Sequence, residues 1–443
     1  MSQELLEADQ FVVKELFIQG KEGPVSIQYL FDELNLYDSL FLPVCSGNVI
    51  ITDTLSLTDK LSFDGTDVIS IHLVKAKNAL PYRKNFRIYK QSNRVNVNQN
   101  TERYVLHFVA EEYFTSSQLL VNRGYTKTYS KLASLILSDV LKTKQTLNVE
   151  KSFGERKIVV PNLNPLQAVE WCAKRAIGIN QIPDFVFYSD NTSMNFVRLS
   201  TLLSQKEVLP QPIKFGSKNL TRETPETEMF MAKGIEILSQ TDIVDKIQSG
   251  VFSSSLVGFD TSTGFVGVKQ NTFDDVYSKS QHANKNPLST NMTNVNGTSL
   301  LNSYDSNKSV YSRIDGRTKS NYIKENSPGS INFNESYEKI ITQRKFILSN
   351  LASRKLKVAM PGNFSLTSGK MVNLDVAPFA VKSPNDTRKD ESLNGKYIIT
   401  ATRHTLALNR HTTTIEVMTD STTDKRKMTG TSQQDALARK KTS

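Results

Sequence analysis

The chain has little of what disulfide-built and catalytic proteins usually need. Its 443 residues include two cysteines, five histidines and one tryptophan. Cys45 and Cys172 stand far apart in segments of different character, which argues against a disulfide framework or a cysteine metal centre and leaves both as small core residues. No HExxH, GxxxxGKS, GxGxxG, GxSxG or CxxC occurs, so no zinc hydrolase, phosphate cradle, nucleophile elbow or redox pair is spelled out. No apolar run approaches the roughly 20 residues that cross a bilayer, and one of the longest, Val68 to Val74, contains His72. The opening MSQELLEADQ is acidic and has neither a basic nor an apolar region of the secretory kind. Neither a membrane partner nor a bound cofactor or metal is expected.

What is present is a chain able to bury cores, with 38% hydrophobic and 22% charged residues, yet with room for polar stretches. Its length predicts about two to four domains. The net charge of +11 raises the question of a polyanion partner. The basic residues are interleaved with acids along the chain, as a soluble surface requires, and no specific nucleic acid is expected.

From Pro24 to about Phe114 the side-chain period is two. In SFDGTDVISIHL, Ile69, Ile71 and Leu73 point one way and Val68, Ser70 and His72 the other. Phe86 and Ile88, then Tyr104, Leu106 and Phe108, repeat the alternation and predict a small antiparallel barrel or sandwich over 24–118, preceded by a leader over 1–23. His72 and His107 read as strand residues. Over 119–215 the period changes. Leu132, Leu135, Ile136 and Val140 make a helical stripe, and Asn164 caps a second helix with Pro165 at its first position and an end near Gly178. Trp171 beside that stripe reads as a core anchor. FVFY from Phe185 and FVRL from Phe196 predict a hairpin, so the region is an α+β unit. Strand-like text continues over 216–271, a Ser/Asn/Thr-rich insertion with a connecting helix fills 272–345, strands resume over 346–420, and 421–443 reads as a basic flexible tail.

His404 and His411 lie in strand-like text rather than on one helical face, which does not favour a metal pair. Glu111-Glu112 and Asp274-Asp275 are adjacent acids of the kind that usually face solvent. No catalytic residue is assigned.

Three segments together resemble the central baseplate hub proteins of contractile-tailed phages, the family related to the N-terminal half of type VI secretion spike proteins. The strongest is LKVAMPGNFSLTSGKMVNLDV from Leu356, followed by LNGKYIITATRHTLALNRHTTTIEVMTDS from Leu393. There Gly362, Asn363, Gly369, Gly395, Tyr397, Arg403 and His404 match the fixed points of the hub pattern. DIVDKIQSGVFSSSLVGFD from Asp242 and NPLQAVEWCAKRA from Asn164 resemble two further hub elements. The match runs in pieces from about 164 to 421. As structure, Gly362 and Gly369 suit turns of positive φ around Phe364 and Leu366, and Gly395 suits a tight entry into Tyr397 and Ile399. His404 reads as a structural or interface residue.

The resemblance implies a mainly β protein with an α+β domain and two tube-like antiparallel barrels, the second split by the long insertion. It further implies a homotrimer whose six barrels form a pseudo-sixfold ring joining a sixfold tail tube to a threefold central spike. Its partners would be the spike, the tail tube protein, the tape-measure protein and baseplate wedge proteins, and its place the virion tail, assembled in the host cytoplasm. Two other classes stay open from the residues alone. One is a tail-associated peptidoglycan hydrolase, tested by release of soluble cell-wall fragments; the other is a basic nucleic-acid-binding protein, tested by salt-dependent affinity for duplex DNA.

Overall fold

The computed structural model of the chain describes residues 8–21, 23–61, 63, 65–75, 81–216, 225–240, 242–260, 266–288, 294–295, 298–299, 308–313, 340–377, 390, 392–407 and 410–423. The first β region holds β1 (Val12–Gly20), β2 (Gly23–Ser26), β3 (Phe31–Ser39), β4 (Ser46–Asp53), the short α1 (Leu57–Lys60), β5 (Val68–Val74), β6 (Tyr82–Asn98) and β7 (Thr101–Ala110). An α+β unit follows with α2 (Glu111–Ser117), β8 (Gly124–Lys127), α3 (Tyr129–Leu135), β9 (Thr146–Val149), β10 (Arg156–Val159), α4 (Pro165–Arg175), β11 (Phe185–Ser189), β12 (Ser193–Arg198) and α5 (Leu199–Leu203). Next come β13 (Ile213–Phe215), α6 (Pro225–Glu228), β14 (Gly234–Ser239), α7 (Ile243–Ser249), β15 (Ser253–Asp260), β16 (Val266–Thr272) and α8 (Phe273–Tyr277). The rest of the chain contributes β17 (Asn286–Pro287), β18 (Asn294–Val295), β19 (Thr298–Ser299), β20 (Lys308–Arg313), α9 (Lys345–Leu351), β21 (Arg354–Pro361), β22 (Met371–Val376), β23 (Gly395–Ala407), β24 (Arg410–Thr419) and β25 (Ser421–Thr422).

The chain is mainly β with an α+β unit, as its periodicities predict, but the two β regions share one sheet. Thirteen strands run in the order β14-β21-β24-β23-β3-β4-β7-β6-β5-β1-β2, with β22 also on β23 and β13 on β22. No strand pair closes either region into a barrel among the described residues. In the second region the hydrogen bonds nevertheless return on themselves. Lys214 in β13 bonds through its N–H to Phe230 O at 2.9 Å and accepts from Ala232 N at 2.8 Å, just ahead of β14. Inside that circuit sits a core of Ile213, Leu356, Val358, Met360, Leu366, Val372, Leu374, Tyr397, Ile399, Ile415 and Val417.

Strand β23 is what joins the regions. Its first residues pair with β22, Leu374 opposite Gly395 through Met371 opposite Ile398. From Ala401 onward the same edge pairs with β3, Ala401 opposite Ser39 through Ala407 opposite Glu33. Between the two lies a register shift against β24 from Ile399 to Ala401. A one-residue bulge exchanges the faces of a strand, and the burial follows: Tyr397 and Ile399 enter the second core, whereas beyond Thr400 the even-numbered Thr402, His404 and Leu406 turn inward and Leu406 joins the first core. Leu40 N–H donates to Thr400 O at 2.8 Å and fixes the crossover.

Several sequence boundaries move. Segment 1–23, read as a leader, carries β1, because Leu16 and Ile18 are buried and Val12 to Gln19 pair with β5. β13 lies inside 119–215 yet belongs to the second β region through its parallel ladder with β22. Of 216–271, only β14 joins the large sheet; β15 and β16 form a separate three-stranded sheet with β20 from the insertion. Ser421 and Thr422, read as the start of the tail, are buried and pair with Pro287 and Asn286. The tail beyond 423, and the insertion over 289–293, 296–297, 300–307 and 314–339, lie outside the described residues. In the α+β unit, Asn164 caps α4 by accepting from Gln167 N at 3.0 Å. Trp171 packs edge-on to Tyr129 with Arg175 stacked 4.2 Å above it.

Candidate functional site

The residues singled out by sequence divide between the seam of the two β regions and the far end of the second one. At the seam, Gly362, Asn363 and His404 meet residues from four other segments. His404 in β23 and His411 in β24 are both buried, with His404 Nδ1 3.1 Å from His411 Nε2 and 3.0 Å from Thr413 Oγ1. The Phe364 ring stacks on His411 at 4.3 Å, Tyr82 from β6 lies 5.4 Å from Phe364, and Phe11 approaches His411 edge-on. Main-chain bonds draw the segments together: His411 N–H donates to Asp9 O and Gly362 N–H to His411 O, each at 2.7 Å. The buried Lys75 ammonium, at the end of β5, donates to Gly362 O.

The electrostatics hold both imidazoles neutral. Burial pushes His404 down to about 3, opposed by a hydrogen bond to the Leu366 backbone. Burial, then the neighbouring His404 and Lys75, hold His411 well below the ordinary imidazole range. Burial likewise lowers Lys75 to about 8, with Asp9 opposing and Lys233 assisting. A neutral His404 that donates from Nε2 to the Leu366 carbonyl accepts at Nδ1, so His411 Nε2 and Thr413 supply the protons there. The facing nitrogens serve each other. Among the described residues no group of three His, Cys, Asp or Glu could hold a metal ion.

The other face of the β3–β23 ladder is a polar rail. Arg403 Nε donates to Asn35 Oδ1 at 3.0 Å, its Nη2 lies 3.4 Å from Glu33 Oε1, and its guanidinium sits 5.9 Å from the Tyr37 ring. Asn363 Oδ1 accepts from Ser365 N at 3.0 Å and its own N–H reaches Thr413 Oγ1 at 2.9 Å, so it shapes the turn after β21. Gly369 has φ +81° and lies under the Tyr188 hydroxyl. Gly362 departs from the sequence reading: it has no positive φ, and its requirement is the His411 ring, which fills the place a Cβ would take. Gly395, with φ +131°, and Tyr397 are at the opposite end, where Tyr397 Oη donates to Leu393 O at 2.8 Å.

Sequence reasoning passed over a second buried constellation. His282 Nδ1 is 2.6 Å from Asp420 Oδ2 and Nε2 is 2.8 Å from Tyr277 O, with the Tyr277 ring stacked on the imidazole at 3.6 Å. Ala283 N–H and Ser421 Oγ donate to Asp420 Oδ1 at 3.2 and 2.7 Å. His282 and Asp420 are 138 residues apart, so no local pattern links them. Burial lowers the His282 pKa, but the Asp420 carboxylate and the Tyr277 carbonyl outweigh it and the net shift is upward. A ring with an acceptor on each nitrogen favours imidazolium. The adjoining cavity of about 10 Å³, lined by Asp184, Ser200 and His282, has room for about one water and no substrate.

The surface carries features suited to contact. Beyond Tyr89 the β6–β7 hairpin stands clear of the core, with Tyr89, Val95 and Val97 more than half exposed. β14 and β2 terminate the sheet. On and beside β14, Ile237, Leu238, Ile243 and Val244 are exposed. No helix among the described residues is long and apolar enough to cross a membrane.

No protein-family model and no curated protein matches the chain. Solved structures do. A tail protein from Neisseria meningitidis aligns over 93% of this chain and 97% of its own, at 10% identity and a TM-score of 0.50. The 43 kDa tail protein of prophage MuSo2 from Shewanella oneidensis aligns over 92% and 98%, at 8% identity and a TM-score of 0.52. The chain has the fold of these tail proteins over more than nine-tenths of its length.

Proposed function

We propose that the chain is a structural subunit of a contractile phage tail baseplate, the central hub, and that it works as a homotrimer. The observation that carries this reading is the likeness to two tail proteins, one of them from a prophage, over more than nine-tenths of this chain and of each of theirs. The internal architecture supports it. One chain holds two β regions side by side on a continuous sheet, so three copies would present six β regions, and such a ring could meet a sixfold tube on one face and a threefold spike on the other. The buried seam, with its main-chain bonds between Asp9, His411 and Gly362, would hold the two regions in fixed relation, which a symmetry adapter requires. The open edges β14 and β2 offer unpaired backbone groups of the kind that neighbouring subunits cover. The fingerprint residues Gly362, Asn363, Gly369, Gly395, Tyr397, Arg403 and His404 serve this architecture rather than chemistry, and the spike, tail tube, tape-measure and wedge proteins are its partners in the virion.

Light scattering of the purified protein, alone and mixed with the spike protein of the same genome, tests the reading. A mass near three subunits in either condition is expected; a monomer in both overturns it.

A further inference from the structure

We propose that the cavity between α4, β11 and the helical run into α9 binds a small amphiphilic anion, an apolar body that ends in a carboxylate. The cavity holds about 470 Å³, within the ~300–1,000 Å³ typical of small-ligand sites. Its inner wall is apolar: Leu40, which follows β3, and Val186 and Phe187 of β11 line it and are buried. Ile340, Arg344 and Leu348 also line it, as positions four apart on one helical face do, the first two from the turn Ile340–Arg344 and the third from α9. Phe41, 43% exposed, stands at the mouth.

Among the described residues, three cations share this cavity with one carboxylate. Lys174 and Arg175 close α4, and Glu170 lies one turn before Lys174. Arg344 is held by main chain rather than by an acid. Its Nη1 donates to Phe185 O at 2.8 Å, Pro183 O at 3.2 Å and Ala173 O at 3.4 Å, which fixes the guanidinium against the last turn of α4. Burial lowers its pKa to about 10, with Asp184 opposing, so it stays charged near neutrality. Asp184 itself accepts from Arg198 Nε and from Ser200 N, each at 3.0 Å, and forms no ion pair with Arg344. The excess of positive charge beside an apolar wall selects the ligand. A cation is repelled, a neutral apolar body leaves the cations short of hydration, and a small hydrophilic anion gains nothing from the wall. A carboxylate on an apolar body meets both surfaces, since charge-assisted hydrogen bonds to Lys and Arg are the strong ones.

Sodium octanoate, titrated by calorimetry into the full-length protein at constant ionic strength, is the probe, with octanol and octylammonium chloride in parallel. Saturable binding of octanoate is expected, with octanol about tenfold weaker for want of charge-assisted bonds and no binding of octylammonium. Leu348→Trp, which fills the cavity, should abolish binding. Lys174→Glu, at an exposed position on α4, should weaken it about fivefold without unfolding the chain. Circular dichroism verifies that each variant is folded, and the lysine variant serves if the tryptophan one is not. The proposal is overturned if octanoate does not bind the wild-type protein, if octanol or octylammonium binds as well as octanoate, or if binding is unchanged in a folded variant.

Discussion

Replacing His282 with Gln should remove a component of stability that is present in mild acid and fades in mild alkali. The His282 side chain is 14% exposed and that of Asp420 is 7% exposed, so their 2.6 Å contact is poorly screened. Breaking a buried pair by removing one partner typically costs about 3–5 kcal/mol. Here Asp420 keeps its bonds from Ser421 and Ala283, and Gln can still reach one acceptor, so the lower end, about 3 kcal/mol near pH 6, is the expected loss. The folded pKa of His282 is raised because Asp420 and the Tyr277 carbonyl outweigh burial. The folded state therefore holds the proton more tightly than the unfolded chain. The contribution is complete below the unfolded value of about 6.5 and is lost as pH rises through the folded value.

Wild type alone would not display this trend cleanly. Lys75 and Lys246, both lowered to about 8 mainly by burial, act in the opposite sense. Between their folded values and about 10.4 the unfolded chain binds more protons, and stability climbs with pH. The assay is therefore the difference in urea unfolding free energy between wild type and His282→Gln from pH 5.5 to 9, with the imidazole titration followed by NMR. A difference that stays flat or grows with pH, or a ring that titrates at or below 6.5, would refute the reasoning.

Three other outcomes can be checked with the same equipment. His404 and His411, held neutral chiefly by burial, should make the protein acid-labile: well below pH 6.5 stability falls by up to about 2.7 kcal/mol per pH unit for the two together, and His404→Leu should flatten the urea-derived slope. Gly362→Ala drives a methyl group into the His411 ring and should cost about 1–3 kcal/mol by denaturant midpoint, without the φ penalty that Gly369→Ala adds at +81°. Ile237→Lys on the terminal strand β14, where the side chain is 39% exposed, should leave the melting temperature within about 1 °C while weakening self-association in light scattering, if β14 is an intersubunit edge.

Local pattern carried a large part of the architecture because it reports local physics. The period-two runs at Ile69 to Leu73 and Tyr104 to Phe108 became β5 and β7 with the expected faces inward. The Asn164-Pro165 start became a capped helix, and the Phe185 and Phe196 runs became a hairpin. What stayed hidden was non-local. β1 was masked by the acidic residues ahead of it, although Leu16 and Ile18 keep the strand period. The exchange of partners along β23 depends on which strands arrive beside Thr400, and those come from residues 33–39 and 371–374. His282 and Asp420 meet only after the insertion folds back on the end of β24. The glycine at 362 was legible as a constraint, but its cause, an imidazole from the adjacent strand, was not.

The bulge at Thr400 then explains why so much buried polarity collects at the seam. A strand that feeds two cores must change face between them, and at the change its side chains belong to neither apolar interior. Just past it, His404 and the facing Thr413 and His411 are buried without an aliphatic core of their own, and their side chains bond to one another. Had they been leucines, either core could have extended across the junction and the register of β24 on β23 would rest on shape alone. His404, bonded to His411 and Thr413 of β24, favours one register of β23 on β24, because a slip of β23 by one residue would turn its imidazole to the opposite face and leave those partners buried and unmet. The polar rail of Arg403, Glu33 and Asn35 repeats the specification on the outer face. Replacing His404 and His411 together by Leu and Phe should therefore raise acid tolerance and yet broaden the β23–β24 amide signals in NMR. Sharp signals in that variant would mean that the apolar packing fixes the register without the imidazoles.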